Sequence, residues 1–220
     1  MSLLAIQSTK RVLEPFDRVS EVLFGLIMVL TITGSLSVAK SGKHELQTML
    51  AGALGCNLAW GIIDGLLYLM GCLAEKGKAL ATLRSVGATA DPQQAQRLLA
   101  EALPSQLAGL IQPAELEAMR QRAKGLPEPP ATARLSADEW LGGLGVCLLV
   151  FLSTFPVVLP FLLVTNSATA LRLSHAVAVV MMFAAGWVFG QITGRRPWLV
   201  GMGMVVLGGL LVALTMALGG

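Results

Sequence analysis

Long apolar stretches separated by short polar ones are the main pattern along this chain. Five of them approach or exceed the roughly 18 residues that suffice for a membrane-spanning helix. They cover about residues 21–39, 46–74, 140–164, 173–193 and 197–219. Their glycines do not argue against helix, because glycine is common in membrane helices and lets backbones approach closely. The pattern therefore predicts five transmembrane helices.

The first stretch has one feature of a signal peptide, the small residues at 37–39. Its charge-free part, residues 22–39, is 18 residues long, whereas the apolar region of a signal peptide is usually about 7 to 15 residues. Acids and bases are also mixed in front of it. We predict that it is retained as a transmembrane helix.

A polar connector, residues 75–138, separates the second and third stretches. Helical signals occur at 77–88, after Asp91 and Pro92, and after Pro113, since proline suits a first helical turn. They predict three short helices in a small lobe. The segment "LPEPPATARLS" then reads as an extended tether, and Ser136 with Glu139 forms a capping-box pattern before the third span.

These elements predict an all-α integral membrane bundle of five transmembrane helices, with a small helical cytoplasmic lobe between the second and third. We divide the chain into four parts. They are an amphipathic segment along the membrane surface (1–20), transmembrane helices 1 and 2 (21–74), the lobe with its proline-rich tether (75–138), and transmembrane helices 3 to 5 (139–220).

The composition supports this class and gives an orientation. Hydrophobic residues make up 55% of the 220 and charged residues only 13%, with a mean hydropathy of +0.71, which a water-soluble domain could not bury. If the N-terminus is cytoplasmic, 13 of the 16 basic residues lie on the inner side. The positive-inside rule then places the N-terminus and lobe in the cytoplasm and the C-terminus outside. The net charge of +3 reflects this topology and does not indicate nucleic-acid binding.

Asp64, in "GIIDGLLYLM", is the one acid well inside a predicted span. A charged side chain at the centre of a membrane helix costs roughly 2.5 to 3.5 kcal/mol even on insertion scales, so it normally has a partner or a function. Asn57 and Tyr68 fall on the same helical face. Two interpretations stay open: Asp64 binds a metal ion or a proton, or it hydrogen-bonds across helices and fixes their packing.

On the first span, Glu21, Met28 and Thr31 offer a carboxylate, a thioether and a hydroxyl along one face. Soft sulfur combined with hard oxygen suits iron or manganese better than magnesium. We therefore include these residues with Asp64 and Asn57 in a candidate metal path. The alternative for Met28 is simple packing in the core.

Pro156 and Pro160 lie four residues apart in the third span, where each removes a helical hydrogen bond. They predict a bend or an opening, which either is packed within the bundle or lines a pathway.

In the lobe, Glu115, Met119 and Glu101 are weak candidates for metal binding, and a solvated charged face is the alternative. The three cysteines all lie in predicted spans, and we expect them to be reduced. The chain has no nucleotide-binding loop, no Ser/His/Asp arrangement and no zinc-protease motif. We predict no enzymatic activity, no catalytic residues and no bound cofactor.

Several stretches resemble one known family. "RVSEVLFGLIMVLTITGSLS" at 18–37, "FLSTFPVVLPFLL" in the third span and "FAAGWVFGQITGRRPWLVGMGMVVLGGLLVALTMALGG" at the end are similar to the vacuolar iron transporter family of iron and manganese carriers. The resemblance covers most of the membrane part. It implies a homodimer, with metal and protons moving along a subunit interface formed largely by the first two helices, and metal collected by carboxylates in the lobe.

Carried over by position, the family's acid in the first helix falls on Met28, and its second-helix methionine falls near Asp64. The resemblance thus implies an exchange of acid and sulfur between the two helices.

From residues and resemblance together, we expect an exporter of a divalent transition metal, iron or manganese, coupled to protons, in a bacterial cytoplasmic membrane. The metal is a substrate, and the expected partners are the lipid bilayer and a second copy of the chain. A membrane scaffold without transport and a transporter of another small solute remain alternatives.

Overall fold

The computed structural model describes residue 13 and residues 15–35, 43–103 and 110–217. Within these ranges the regular structure is entirely helical. The helices are α1 (Pro15–Ser35), α2 (Lys43–Ala88), α3 (Pro92–Ala102), α4 (Pro113–Lys124), α5 (Ala137–Ser153), α6 (Phe155–Leu163), α7 (Ser167–Ile192) and α8 (Pro197–Ala217). The predicted N-terminal segment 1–20 lies mostly outside the described residues.

Four helical stretches among the described residues are long and apolar enough to cross a membrane: Gln47–Ala88, Ala137–Leu163, Ser167–Ile192 and Pro197–Leu214. They match the second to fifth predicted spans. The first predicted span lies in α1, which is not among them over its described part, so the count of five stays a prediction. By the length and composition of these helices, the chain is an integral, multi-pass membrane protein.

The chain forms two compact units. The first includes α1, α2 up to Tyr68, α5 from Trp140, and α6 to α8. Its core brings together apolar side chains of α1, α2, α6 and α7: Leu26, Val29, Leu30, Met49, Leu50, Ala53, Val157, Val158, Phe161, Ala170, Ala178 and Met182. In water, removing apolar surface from solvent stabilises a fold by about 25 cal/mol per Å². In lipid this driving force between helices is absent, and close packing of the side chains is the main stabilising contribution.

Glycine allows α7 and α8 to pack closely in this unit. A Cβ at Gly186 would lie 2.8 Å from Gly201 Cα, and one at Gly190 would lie 2.7 Å from Pro197 Cα. The turn between these helices contains Gly194, whose φ of +67° lies in the left-handed region that favours glycine. The Gly186/Gly190 pair is therefore a contact within the chain.

The second unit, Leu69–Glu139, comprises the end of α2 with α3 and α4. Val86, Ala95 and Leu99 form its small core. The prediction of a separate helix at 77–88 is wrong, because these residues continue α2 without a break. Neither Gly77 nor Gly87 ends the helix. No proline occurs between residue 43 and Pro92, so nothing breaks the helical hydrogen bonds before Ala88.

The helix ends in this unit follow the sequence signals. Asp91 Oδ1 accepts a hydrogen bond from Gln93 N at 2.9 Å and caps α3. Glu139 Oε2 accepts hydrogen bonds from Ser136 N at 2.6 Å and Ser136 Oγ at 2.9 Å. The tether, residues 126–136, has no regular structure.

Candidate functional site

Asp64 and Glu21 lie near each other in the first unit. Both side chains are partly buried, Asp64 on α2 and Glu21 on α1. Phe24 and Trp60, about one turn away on the same two helices, pack with ring centroids 5.6 Å apart, so two like charges at this level of the helix pair disfavour each other. Because neither carboxylate has an ion-pair partner among the described residues, a cation between them would remove the repulsion. Sequence analysis had placed both acids in one candidate metal path, without a reason to pair them more closely than the other residues of that path.

Gly61 and Gly65 hold α2 against α5 on the face that carries Asp64. A Cβ at Gly61 would lie 2.7 Å from Cys147 O, and one at Gly65 would lie 2.7 Å from Gly143 O. One turn further, the Tyr68 ring packs on Gly142. The small-residue pair of α2 is thus used for contact within the chain, and it fixes the position of Asp64.

Asn57 connects three helices in the core. Its Nδ2 donates hydrogen bonds to Gly25 O of α1 at 3.0 Å and to Thr154 Oγ1, between α5 and α6, at 2.5 Å. Asn57 and Thr154 are both 0% exposed. Asn57 Oδ1 is buried and accepts no hydrogen bond from the described residues. An unpaired buried polar group lowers the stability of the fold by about 1 to 3 kcal/mol. This oxygen is therefore an unsatisfied acceptor in an otherwise packed core.

Gly25 permits the approach of α1 to this junction. A Cβ there would lie 2.6 Å from Val150 O and would collide with the Ser153 hydroxyl. Ser153 Oγ itself donates to Val150 O at 2.7 Å. Sequence reasoning missed Thr154, Ser153 and Gly25, although "ST", separated from Pro156 only by Phe155, was a visible polar pair inside an apolar span.

The proline pair interrupts the third span. Helix α5 ends at Ser153, and α6 begins at Phe155. Pro156 is exposed, whereas Pro160 is buried in the core beside Val157 and Phe161. The two prolines therefore face different surroundings, and Pro160 is part of the packing.

Met28 and Thr31 are partly buried on α1. The Thr31 hydroxyl donates to Met28 O at 2.8 Å and to Ile27 O at 3.1 Å, so its proton is used within the helix. Its oxygen keeps acceptor capacity. Among the described residues, neither forms a hydrogen bond with Asp64.

The three metal-binding candidates of the lobe have different surroundings. Glu101 and Met119 both line a cavity of about 830 Å³, together with Glu75 and Lys78. Glu115 is not in its lining; its Oε2 accepts a hydrogen bond from Gln112 N at 2.8 Å and caps α4. Among the described residues, no group of three or more His, Cys, Asp and Glu side chains could hold a metal ion.

Glu117 is the most strongly bonded acid of the lobe. Arg120 donates to it through Nε at 2.8 Å and Nη2 at 2.5 Å, and Gln96 and Gln121 each donate at 2.8 Å. These hydrogen bonds, the one from Arg120 foremost, lower the pKa of Glu117 to about 2 and raise the pKa of Arg120. The network joins α3 to α4, so Glu117 holds the lobe together.

The sequence model of the VIT family matches residues 74–220, about two thirds of the chain. The match includes most of the second unit as well as α5 to α8, whereas the first-helix motif at 18–37 lies outside it. A search of curated proteins finds no significant match.

Proposed function

Because this chain belongs to the VIT family of membrane metal-ion transporters, we propose that it moves iron or manganese out of the cytosol in exchange for protons. VIT proteins are transporters and not enzymes. Beyond this family-level function, we infer the metal, the direction, the coupling ion and the site. The observation that carries the proposal is that two partly buried carboxylates, Glu21 and Asp64, lie on two helices that pack together, and neither has an ion-pair partner among the described residues.

A pair of acids in a mostly apolar bundle is stable only when something neutralises it. Either a divalent cation or protons can do so. When the metal binds between the carboxylates, the protons must leave, and when protons return, the metal is released. Exchange of this kind at one site is the simplest basis for an antiporter.

Iron and manganese suit the donors near this pair. Carboxylate oxygens from Glu21 and Asp64 would supply most of the binding, with Met28 sulfur and Thr31 oxygen as the next donors along α1. In this proposal Asn57 has a different role from the one the sequence suggested, because its amide nitrogen is committed to α1 and to Thr154. It holds the junction of α1, α2 and the interrupted third span, where a change of access would require movement.

A homodimer through α2 is part of the proposal. The face of α2 opposite Asn57 presents Ala51, Gly55 and Ala59 at intervals of four residues, all exposed. A Cβ at Gly55 would meet nothing within 4 Å. Since small residues at this spacing let membrane helices approach, and Gly61 and Gly65 are already used inside the chain, this stripe is the surface that supports pairing of two copies.

The distribution of basic residues supports five spans with the N-terminus and lobe in the cytoplasm. In this orientation Glu21 lies near the cytoplasmic end of α1, and Glu101 and Met119 line a cavity in the lobe. Each of the two units therefore offers carboxylates to metal that arrives from the cytosol.

Transport in proteoliposomes tests the proposal. We expect uptake of Fe²⁺ or Mn²⁺ to depend on an imposed pH gradient and to fall at least about tenfold in Asp64→Asn and in Glu21→Gln, since each variant leaves one carboxylate in place of two. Glu128→Gln, which removes an exposed acid in the tether, is the matched control and should transport like the parent. Transport by Asp64→Asn at the parental rate would contradict the proposed site.

A further inference from the structure

A cavity of about 660 Å³ lies in the second unit, between α2 and the tether. One wall is the helix face around Ala79 and Leu80, and the other is the chain from Pro130 to Arg134. Two lining residues, Lys76 and Arg134, are cations, and none is an acid. The volume is in the range of small-molecule sites.

Side-chain hydrogen bonds to the tether fix the walls of this cavity. Lys76 Nζ donates to Arg134 O at 3.1 Å and forms an ion pair with Glu139 Oε2 at 2.6 Å. Two turns along α2, Arg84 Nη2 donates to Ala131 O at 2.7 Å and also to Pro130 O. The tether is thus attached to α2 at both ends of the cavity, although it has no regular structure.

The charge of the cavity comes from Arg134. Lys76 is neutralised by Glu139. The Arg134 side chain is exposed and has no hydrogen bond or ion pair with the described residues; only its carbonyl is used. A guanidinium forms bidentate hydrogen bonds with phosphate, so the cavity combines one free phosphate-binding group with an apolar wall.

Both sides of the cavity continue directly into spanning helices. Lys76 follows the last residue of the second apolar stretch by two positions, about 3 Å along a helix axis. Arg134 precedes the start of α5, Ala137, by three positions. A basic group at this distance from two membrane helices lies at the level of lipid headgroups.

We propose that this cavity binds the headgroup of an anionic phospholipid, with the phosphate on Arg134 and the first part of the lipid against Ala79, Leu80 and Ala131. The bound lipid lies against the joint between α2 and the tether. Anionic lipid would therefore stabilise the second unit in the membrane, independently of the metal that the bundle transports.

Native mass spectrometry of the full-length protein in mild detergent tests this proposal. Equal amounts of phosphatidylglycerol and phosphatidylcholine with the same acyl chains are added, and the lipid adducts are compared. We expect the parent to retain phosphatidylglycerol about fivefold more than phosphatidylcholine, the preference that one basic residue near an anionic surface provides. Arg134→Gln should abolish the preference, and Arg134→Lys should keep most of it.

Arg97→Gln is the matched control, because Arg97 is an exposed cation of the same unit outside the cavity lining. Its preference should equal that of the parent, and inorganic phosphate in large excess should not displace the lipid. Equal retention of both lipids by the parent would overturn the proposal. So would an equal loss in Arg97→Gln, which would indicate diffuse charge attraction, or displacement by inorganic phosphate, which would indicate a site for a soluble anion.

Discussion

Replacing Gly61 by alanine tests the contact that positions Asp64. The new Cβ would lie 2.7 Å from Cys147 O, and 3.4 Å from Cys147 C and Cα. All three are backbone atoms of α5, so no side-chain rotation can relieve the contact. The helices must separate by several tenths of an ångström, and overpacking of this kind costs about 1 to 3 kcal/mol.

Gly71→Ala is the matched control in the same helix. A Cβ at Gly71 meets nothing within 4 Å. Both variants gain the same helix propensity, about 1 kcal/mol for alanine over glycine, so this gain cancels when they are compared. The difference between them isolates the overpacking at Cys147.

Thermal unfolding in detergent, followed by tryptophan fluorescence, measures the difference. For a chain of this size 1 kcal/mol corresponds to about 2–4 °C in Tm. We expect Gly71→Ala to unfold at or above the parental Tm, and Gly61→Ala to unfold at least about 2–4 °C below Gly71→Ala. Equal Tm values for the two variants would show that α2 does not pack on α5 through Gly61, and the placement of Asp64 would lose its support.

Three further predictions concern the junction, the lobe and the dimer. Asn57→Ala removes two buried hydrogen bonds and should destabilise the protein by about 1 to 3 kcal/mol. A double-mutant cycle with Thr154→Val, measured by thermal unfolding in detergent, should give a coupling energy of at least about 0.6 kcal/mol. Strict additivity of the two variants would argue against the hydrogen bond between Asn57 and Thr154. The folded pKa of Glu117, about 2, lies below its ordinary value of 4.5, so its contribution to stability is complete above pH 4.5 and is lost as the pH falls from there towards 2. Amide exchange of α4, corrected for intrinsic rates, should therefore increase over this range in the parent and change less in Glu117→Gln; equal pH dependence in both would refute the role of the network. Gly55→Leu should weaken the proposed dimer without lowering the monomer's Tm, as measured by light scattering in detergent, and an unchanged dimer would exclude that stripe as the interface.

Local signals in the sequence were sufficient for the elements of this fold and for several of their ends. Four spans follow from hydropathy, and the caps at Asp91 and Ser136 follow from side chains that act within three residues. The extension of α2 to Ala88 was missed because the apolar stretch ends near residue 74. Hydropathy reports where a helix leaves the membrane, whereas a helix ends only where its hydrogen bonds are broken or capped.

The candidate site was less predictable, because its contacts join distant parts of the chain. Asp64 was recognisable by its cost in an apolar helix, but its proximity to Glu21 depends on how α1 and α2 pack. Asn57 was assigned to a metal path from its helical face, while its bond to Thr154 spans 97 positions in sequence. Spacing along one helix cannot identify a partner on another.

Anomalous X-ray scattering from crystals soaked in Mn²⁺ tests the central claim most directly. We predict an anomalous peak within coordination distance of both the Glu21 and the Asp64 carboxylates, and its loss in Asp64→Asn crystals soaked under the same conditions. Bound Mn²⁺ only in the lobe, with nothing between Glu21 and Asp64 in the parent, would contradict a cation site in the bundle.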